Sequence, residues 1–188
     1  MLSFPADGGF VLADPLAQRF FEVREEIIAG SVGEIAGWFR EKGLTVGLDL
    51  FAPAISRFAG QSYPRLSAAA DFVKPMLYRR TDAPAGIGYE YKLLEKNAPA
   101  ARGRISPTMD RAFLDSQLDA AARAACAVYP GIEVNYDPDT VRTDPGYIAE
   151  SLAAAEAHGF EGAVLCWDIT DAPEENLAAA YASASTCE

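Results

Sequence analysis

Four short apolar runs, at residues 45–51, 71–78, 129–135 and 162–169, alternate with stretches that carry helix start and stop signals, and this pattern leaves few folds open. Asp14-Pro15 opens one helix; Arg40-Glu41-Lys42-Gly43 closes it, or closes a second helix continuing past Gly30. Residues 63–70 have the makings of a short helix, and Ser106-Pro107 begins a further one through Phe113, Leu114 and Leu118 to Ala125. Asp144-Pro145 opens a helix that stops at His158-Gly159, and Asp171-Ala172-Pro173-Glu174 has capping-box spacing. The order α-β-α-β-α-β-α-β-α predicts an α/β fold of parallel strands joined by right-handed crossovers. In such folds ligands bind at the carboxyl ends of the strands. Residues 79–105, with Gly86, Gly88, Glu90, Lys92 and Gly103, read as one long loop at that active end.

The 188 residues suit a single domain over 1–188, half of them hydrophobic and 23% charged. No apolar run approaches the ~18 residues needed to span a bilayer, so no membrane association is expected. A formal charge of −11 opposes a polyphosphate backbone, which excludes nucleic acid as an expected partner. Cys126, Cys166 and Cys187 are odd in number and widely spaced, which argues against a disulfide framework, a CxxC redox pair or a zinc site. No metal or other cofactor is expected. The start, Met1-Leu2-Ser3-Phe4-Pro5-Ala6-Asp7, lacks a secretory pattern, so the expected location is cytoplasmic.

Side chains alternate across a strand. Val46, Leu48 and Leu50 therefore oppose Gly47, Asp49 and Phe51; Val73, Pro75 and Leu77 oppose Phe72, Lys74, Met76 and Tyr78; Ile132 and Val134 oppose Gly131, Glu133 and Asn135. If the apolar rows pack on helices, then Asp49, Lys74, Tyr78, Glu133 and Asn135 converge on one polar floor, with Trp167 the inward tip of the fourth strand. A parallel sheet covered on both sides should be apolar on both, because an unpaired buried charge costs several kcal/mol. One reading is a satisfied ion pair of Lys74 with Asp49 or Glu133 that fixes packing. The other is chemical: two carboxylates beside one ammonium can have their pKa values pushed apart into an acid and a base, as sugar hydrolysis requires.

Lys74-Pro75-Met76-Leu77-Tyr78 at one strand end, Gly47-Leu48-Asp49-Leu50-Phe51 at another, and Trp167-Asp168 followed by Pro173-Glu174-Glu175-Asn176-Leu177 make residues 44–178 resemble the carboxyl-terminal half of a glycoside-hydrolase-like (β/α)8 barrel. The closest likeness is to uncharacterised barrel proteins related to sugar hydrolases; chitinase-type hydrolases are similar in part. The resemblance implies that Tyr78 contacts the reacting sugar and that Trp167 floors its subsite. The Asp-x-x-Asp-x-Asp-x-Glu motif of chitinases is absent, so a chitinase mechanism is not implied. Four strands do not close eight; a lost N-terminal half is the preferred account and a homodimer the second, since open edges invite pairing. Phe4-Pro5-Ala6-Asp7-Gly8-Gly9-Phe10 would then be the loop after a missing strand.

The expected function is a carbohydrate-active hydrolase, with a non-catalytic sugar-binding or inactive half-barrel as the alternative. Glu133 and Asp49 are the candidate catalytic carboxylates, tuned by Lys74. Met76, Tyr78, Asn135, Trp167 and Asp168 are expected to join Lys74 in binding the sugar or another polar small molecule, with Arg79 and Glu90 closing over it as a lid.

Other candidates read as structural. Asp137, Asp139 and Asp144 lack the glycine and terminal glutamate of a calcium loop and suit turns and caps. His158, the single histidine, suits a helix C-terminus. Gly86-Ile87-Gly88 lacks the third glycine of a dinucleotide fingerprint. Cys126 and Cys166 read as buried hydrophobes, with Cys166 facing away from Trp167. Phe20, Phe21, Ile35, Trp38 and Phe39 form a helix stripe expected to pack into the core.

Overall fold

A computed structural model of the chain describes residues 2–3, 10–98 and 108–184. In chain order it contains β1 (Leu2–Ser3), β2 (Val11–Leu12), α1 (Pro15–Glu41), β3 (Gly47–Phe51), α2 (Pro53–Ser56), α3 (Tyr63–Ser67), β4 (Phe72–Met76), α4 (Ile87–Asn97), α5 (Arg111–Ala121), β5 (Ala127–Val128), β6 (Gly131–Glu133), β7 (Tyr136–Asp137), β8 (Val141–Arg142), α6 (Pro145–Ala157), β9 (Val164–Cys166) and α7 (Glu174–Ala184). A short 3₁₀ turn, Arg57–Ala59, follows α2.

The central sheet is parallel, in the order β3-β4-β6-β9, with β5 pairing the first half of β4 just before its ribbon continues as β6. Helices flank it, so the expected α/β architecture of part of a (β/α) barrel is what the chain adopts. Small antiparallel pairs, β1 with β2 and β7 with β8, lie outside the sheet.

The elements form for local reasons that the sequence displays. Asp14 caps α1 by accepting the backbone N–H groups of Leu16 and Ala17, and Asp144 caps α6 by accepting that of Tyr147. The run past Gly30 is one helix of 27 residues, ended by Gly43 at φ +75°. Gly47 sits opposite Phe72 in the β3–β4 register, and a methyl built on Gly47 would overlap the Phe72 ring. The apolar strand rows pack outward as expected. Leu50 and Val73 join Tyr63, Leu66, Ala121 and Val128; Leu77 joins Ile55, Ile87, Phe113, Leu114 and Leu118; Val134 joins Tyr147, Ile148 and Ala180. Each fully buried aliphatic side chain stabilises the fold by roughly 1.5–3 kcal/mol.

Several expectations are corrected. Residues 79–105 are not one loop: they contain α4, and the rest of that stretch from 99 onward lies outside the described residues. The helix expected to begin at Ser106-Pro107 begins at Arg111, with Asp110 as its cap accepting the Phe113 N–H; 106 and 107 are outside the described residues, as are 4–9 and Cys187. The α1 stripe is not core. Phe21 does pack against Phe10 and Phe58, but Phe20, Ile35, Trp38 and Phe39 are exposed. The physical reason is that α1 meets the body through its small residues, Ala29, Val32 and Ala36, on the side opposite Phe20 and Trp38. No described helix is long and apolar enough to cross a membrane.

Candidate functional site

Asp49 and Lys74 are the middle residues of β3 and β4, whereas Tyr78, Glu133, Cys166 and Trp167 lie at or just past the carboxyl ends of β4, β6 and β9, so the expected polar floor divides into two differently placed groups. The first is open. Asp49 and Lys74 are register partners, and the Lys74 Nζ lies 2.7 Å from Asp49 Oδ2. The carboxylate side chain is 61% exposed and the lysine only 14%. The lysine stem can lie flat there because Gly131 faces it: a methyl on Gly131 would stand 3.4 Å from the Lys74 Cγ and Cδ. Trp167, just after the opposite edge strand β9, is 44% exposed and meets Tyr78 edge-to-face at 6.0 Å. Met76 is half-buried between its register partners Phe51 and Gly131.

The second group is closed. Glu133 is 0% exposed. One carboxylate oxygen accepts the Arg80 backbone N–H at 2.7 Å and the other accepts the Tyr147 hydroxyl at 2.8 Å. Burial pushes the Glu133 carboxyl above its ordinary value, opposed by these donors. The Tyr147 phenol is likewise held well above its ordinary range, by burial first and by the neighbouring Glu133 second. Tyr78 is buried too, beside Cys166, and burial first of all raises its pKa. Cys166 therefore faces the Tyr78 and Glu133 side rather than turning away from the Trp167 neighbourhood as expected. The Cys166–Trp167 peptide is cis.

The remaining candidates have other partners. Arg79 is buried: it donates to Glu150, to Ser151 and to the Met109 carbonyl, and its guanidinium lies 4.8 Å from the Tyr147 ring centre. It braces α5 and α6 rather than forming a lid. Glu90 accepts the Ala85 N–H at the start of α4 and lines a small cleft of about 280 Å³ with Phe51, Ile55 and Leu94, so it too is no lid over the floor. Buried Asn135 acts on backbone: its Oδ1 accepts the Trp167 and Asp168 N–H groups and its Nδ2 donates to the Asp168 carbonyl. Asp168 is a turn residue whose carboxylate accepts from Thr170, which lowers its pKa. Asp137 accepts the N–H groups of Asp139 and Thr140 in a turn, and His158 ends α6 with Nδ1 2.8 Å from the Ala154 carbonyl. Among the described residues no group of three or more His, Cys, Asp or Glu side chains is placed to hold a metal ion.

Sequence reasoning missed Tyr147 and Asn176. Tyr147 lies three residues after the Asp144 cap, a spacing that puts it in the first turn of α6, beside the strand ends. Buried Asn176 donates to the Val134 carbonyl and to Thr143, tying α7 to the end of β6; its place in the Pro173–Leu177 motif was the available signal.

The fold has a counterpart among solved structures. The chain is similar to the glycoside hydrolase domain of PgaB (BpsB) from Bordetella bronchiseptica, with TM-score 0.54 and 16% identity over 92% of this chain and 44% of that one. The shared feature is the fold. The chain spans less than half the length of that domain's chain, so its four-strand sheet matches part of a glycoside-hydrolase-like α/β fold. No family model and no curated protein matches the sequence.

Proposed function

We propose that the open group forms part of a carbohydrate site in a glycoside-hydrolase-like protein, with Asp49 as the carboxylate that reaches the sugar. The observations that carry this reading are an exposed, lysine-anchored carboxylate in the middle of β3 and a half-exposed tryptophan just past the carboxyl end of β9 in the same parallel sheet. The indole offers an apolar face to the C–H face of a pyranose ring, while Asp49 accepts from hydroxyls and the Lys74 ammonium donates. Likeness in fold to a named glycoside hydrolase domain adds support.

In this reading the roles expected of the two carboxylates separate. Asp49 is the candidate acid/base or nucleophile. Glu133 is a positioning residue, holding the end of β4 through Arg80 and the start of α6 through Tyr147. Asn135 positions Trp167. A hydrolase of this type needs two carboxylates flanking the bond to be cleaved. Because Glu133 is enclosed, a second reading is sugar binding without cleavage.

Calorimetric titration with a panel of oligosaccharides, followed by chromatography of the mixtures, tests both. Saturable heat that weakens about tenfold or more in Trp167→Ala and Asp49→Asn supports the site. Released product supports the hydrolase, and heat without product supports the binder. Absence of heat with every glycan, or heat unchanged in both variants, overturns the carbohydrate reading.

A further inference from the structure

Among the described residues the sheet ends in two unpaired edges, the outer sides of β3 and β9, and apolar surfaces of opposite shape lie on α1 and between α6 and α7. Beside β3 runs α1, about 40 Å long at 1.5 Å per residue. Its face toward α3 carries Ala29, Val32 and Ala36. At 100° per residue the opposite face carries Leu16, Phe20, Ile27 and Trp38, each between 55% and 80% exposed, with Ile35 on its flank. This is a projecting ridge of large side chains. Beside β9 lies a groove of about 720 Å³ between α6 and α7, floored by small residues such as Ala153, Ala163 and Ala179, with Leu152, Phe160 and Leu165 along it.

The two surfaces also agree in direction and charge. Arg40, at the carboxyl end of α1, pairs with Asp71, which in turn accepts the Val46 N–H, so the Trp38 end of the ridge lies at the amino ends of β3 and β4. Phe160 and Glu161 lie at the amino end of β9. If β9 of one molecule pairs in parallel with β3 of another, the ridge therefore enters the groove with its Trp38 end at Phe160. Lys42, 5.9 Å from the Trp38 ring centre, then approaches the Glu161 carboxylate.

We propose that a second copy of this chain docks across both open edges, β9 of each copy beside β3 of the other, with each α1 ridge seated in the partner's α6–α7 groove. A two-fold axis along the sheet closes eight parallel strands and makes both seams identical. Closure also sets edge strand β3, which carries Asp49, beside the partner's edge strand β9, which leads into Trp167.

Sedimentation equilibrium of the 188-residue chain through a dilution series tests this. The expected result is a mass of twice 20.1 kDa that falls to the single mass on dilution. Ile27→Glu and Trp38→Glu on the ridge, and Ala153→Trp in the groove, should each raise the dissociation constant about tenfold or more with an unchanged far-ultraviolet spectrum. All three positions are solvent-exposed in the single chain, so at least one variant folds normally. A chain that is monomeric at every concentration, a dimer indifferent to all three substitutions, or a monomer that instead captures a separate block of β/α units overturns the proposal.

Discussion

Lys74 and Asp49 face each other across β4 and β3, with Nζ 2.7 Å from Oδ2, the ammonium largely enclosed and the carboxylate largely open. The two ends of this ion pair are therefore not equivalent. Removing the lysine leaves an exposed carboxylate that water solvates, whereas removing the carboxylate leaves an enclosed ammonium without its acceptor.

Lys74→Met, which keeps the stem over Gly131, should change unfolding free energy by no more than about 1 kcal/mol, and Asp49→Ala should cost more, about 1–3 kcal/mol. Urea denaturation of both variants checks the order. An equal or reversed ranking would show that the pair does not shield the ammonium as described.

Glu133 links stability to pH with a definite sign. Its carboxyl is raised in the folded chain by burial, so the folded state holds the proton more tightly than the unfolded state does. The penalty is absent below the unfolded carboxyl value and grows as pH rises toward the folded value, where deprotonation must occur inside the protein. Stability should fall across that window with a slope from this group of at most about 1.4 kcal/mol per pH unit. Glu133→Gln keeps an acceptor for Arg80 and should remove that slope. Parallel pH profiles for the two proteins would refute the assignment.

Gly47 tests the β3–β4 contact. Gly47→Ala should destabilise by about 1–3 kcal/mol, because the added methyl overlaps the Phe72 ring, which is held edge-on against Tyr129. In the double variant Gly47→Ala/Phe72→Ala the ring is gone, and the combined cost should be less than the sum of the single costs by more than about 0.5 kcal/mol. Thermal or urea unfolding of the four proteins gives the coupling directly, and strict additivity would mean that the ring does not fill that space.

Asn135 tests how the tryptophan is held. Asn135→Ala removes three hydrogen bonds to the backbone at 167 and 168 and should cost about 2–3 kcal/mol. If Trp167 is the sugar platform, Asn135→Ala should also weaken glycan binding under conditions where the protein remains folded, while Arg79→Lys, which disturbs a buried brace away from the floor, should lower stability without changing the affinity of the folded fraction.

Much of the frame was legible from local chemistry. Helix caps at Asp14 and Asp144 and the apolar row Leu48, Leu50, Val73, Leu77 specify where elements start and which side of each strand is buried, because caps and alternation depend on neighbours a few residues apart. An ion pair of Lys74 with Asp49 or Glu133 was also expected, and the β3–β4 register is what selects Asp49.

The chain sequence alone determined an α/β alternation, a polar strand face and the residue types on it. Only the tertiary structure decided that Glu133 is sealed by Tyr147 while Asp49 stays open, that Arg79 braces helices instead of covering the floor, and that the large apolar residues of α1 point away from the sheet. The reason is that enclosure belongs to no single segment. It depends on which surfaces from distant parts of the chain arrive at the same place, and periodicity along one helix or strand records only that it has two faces.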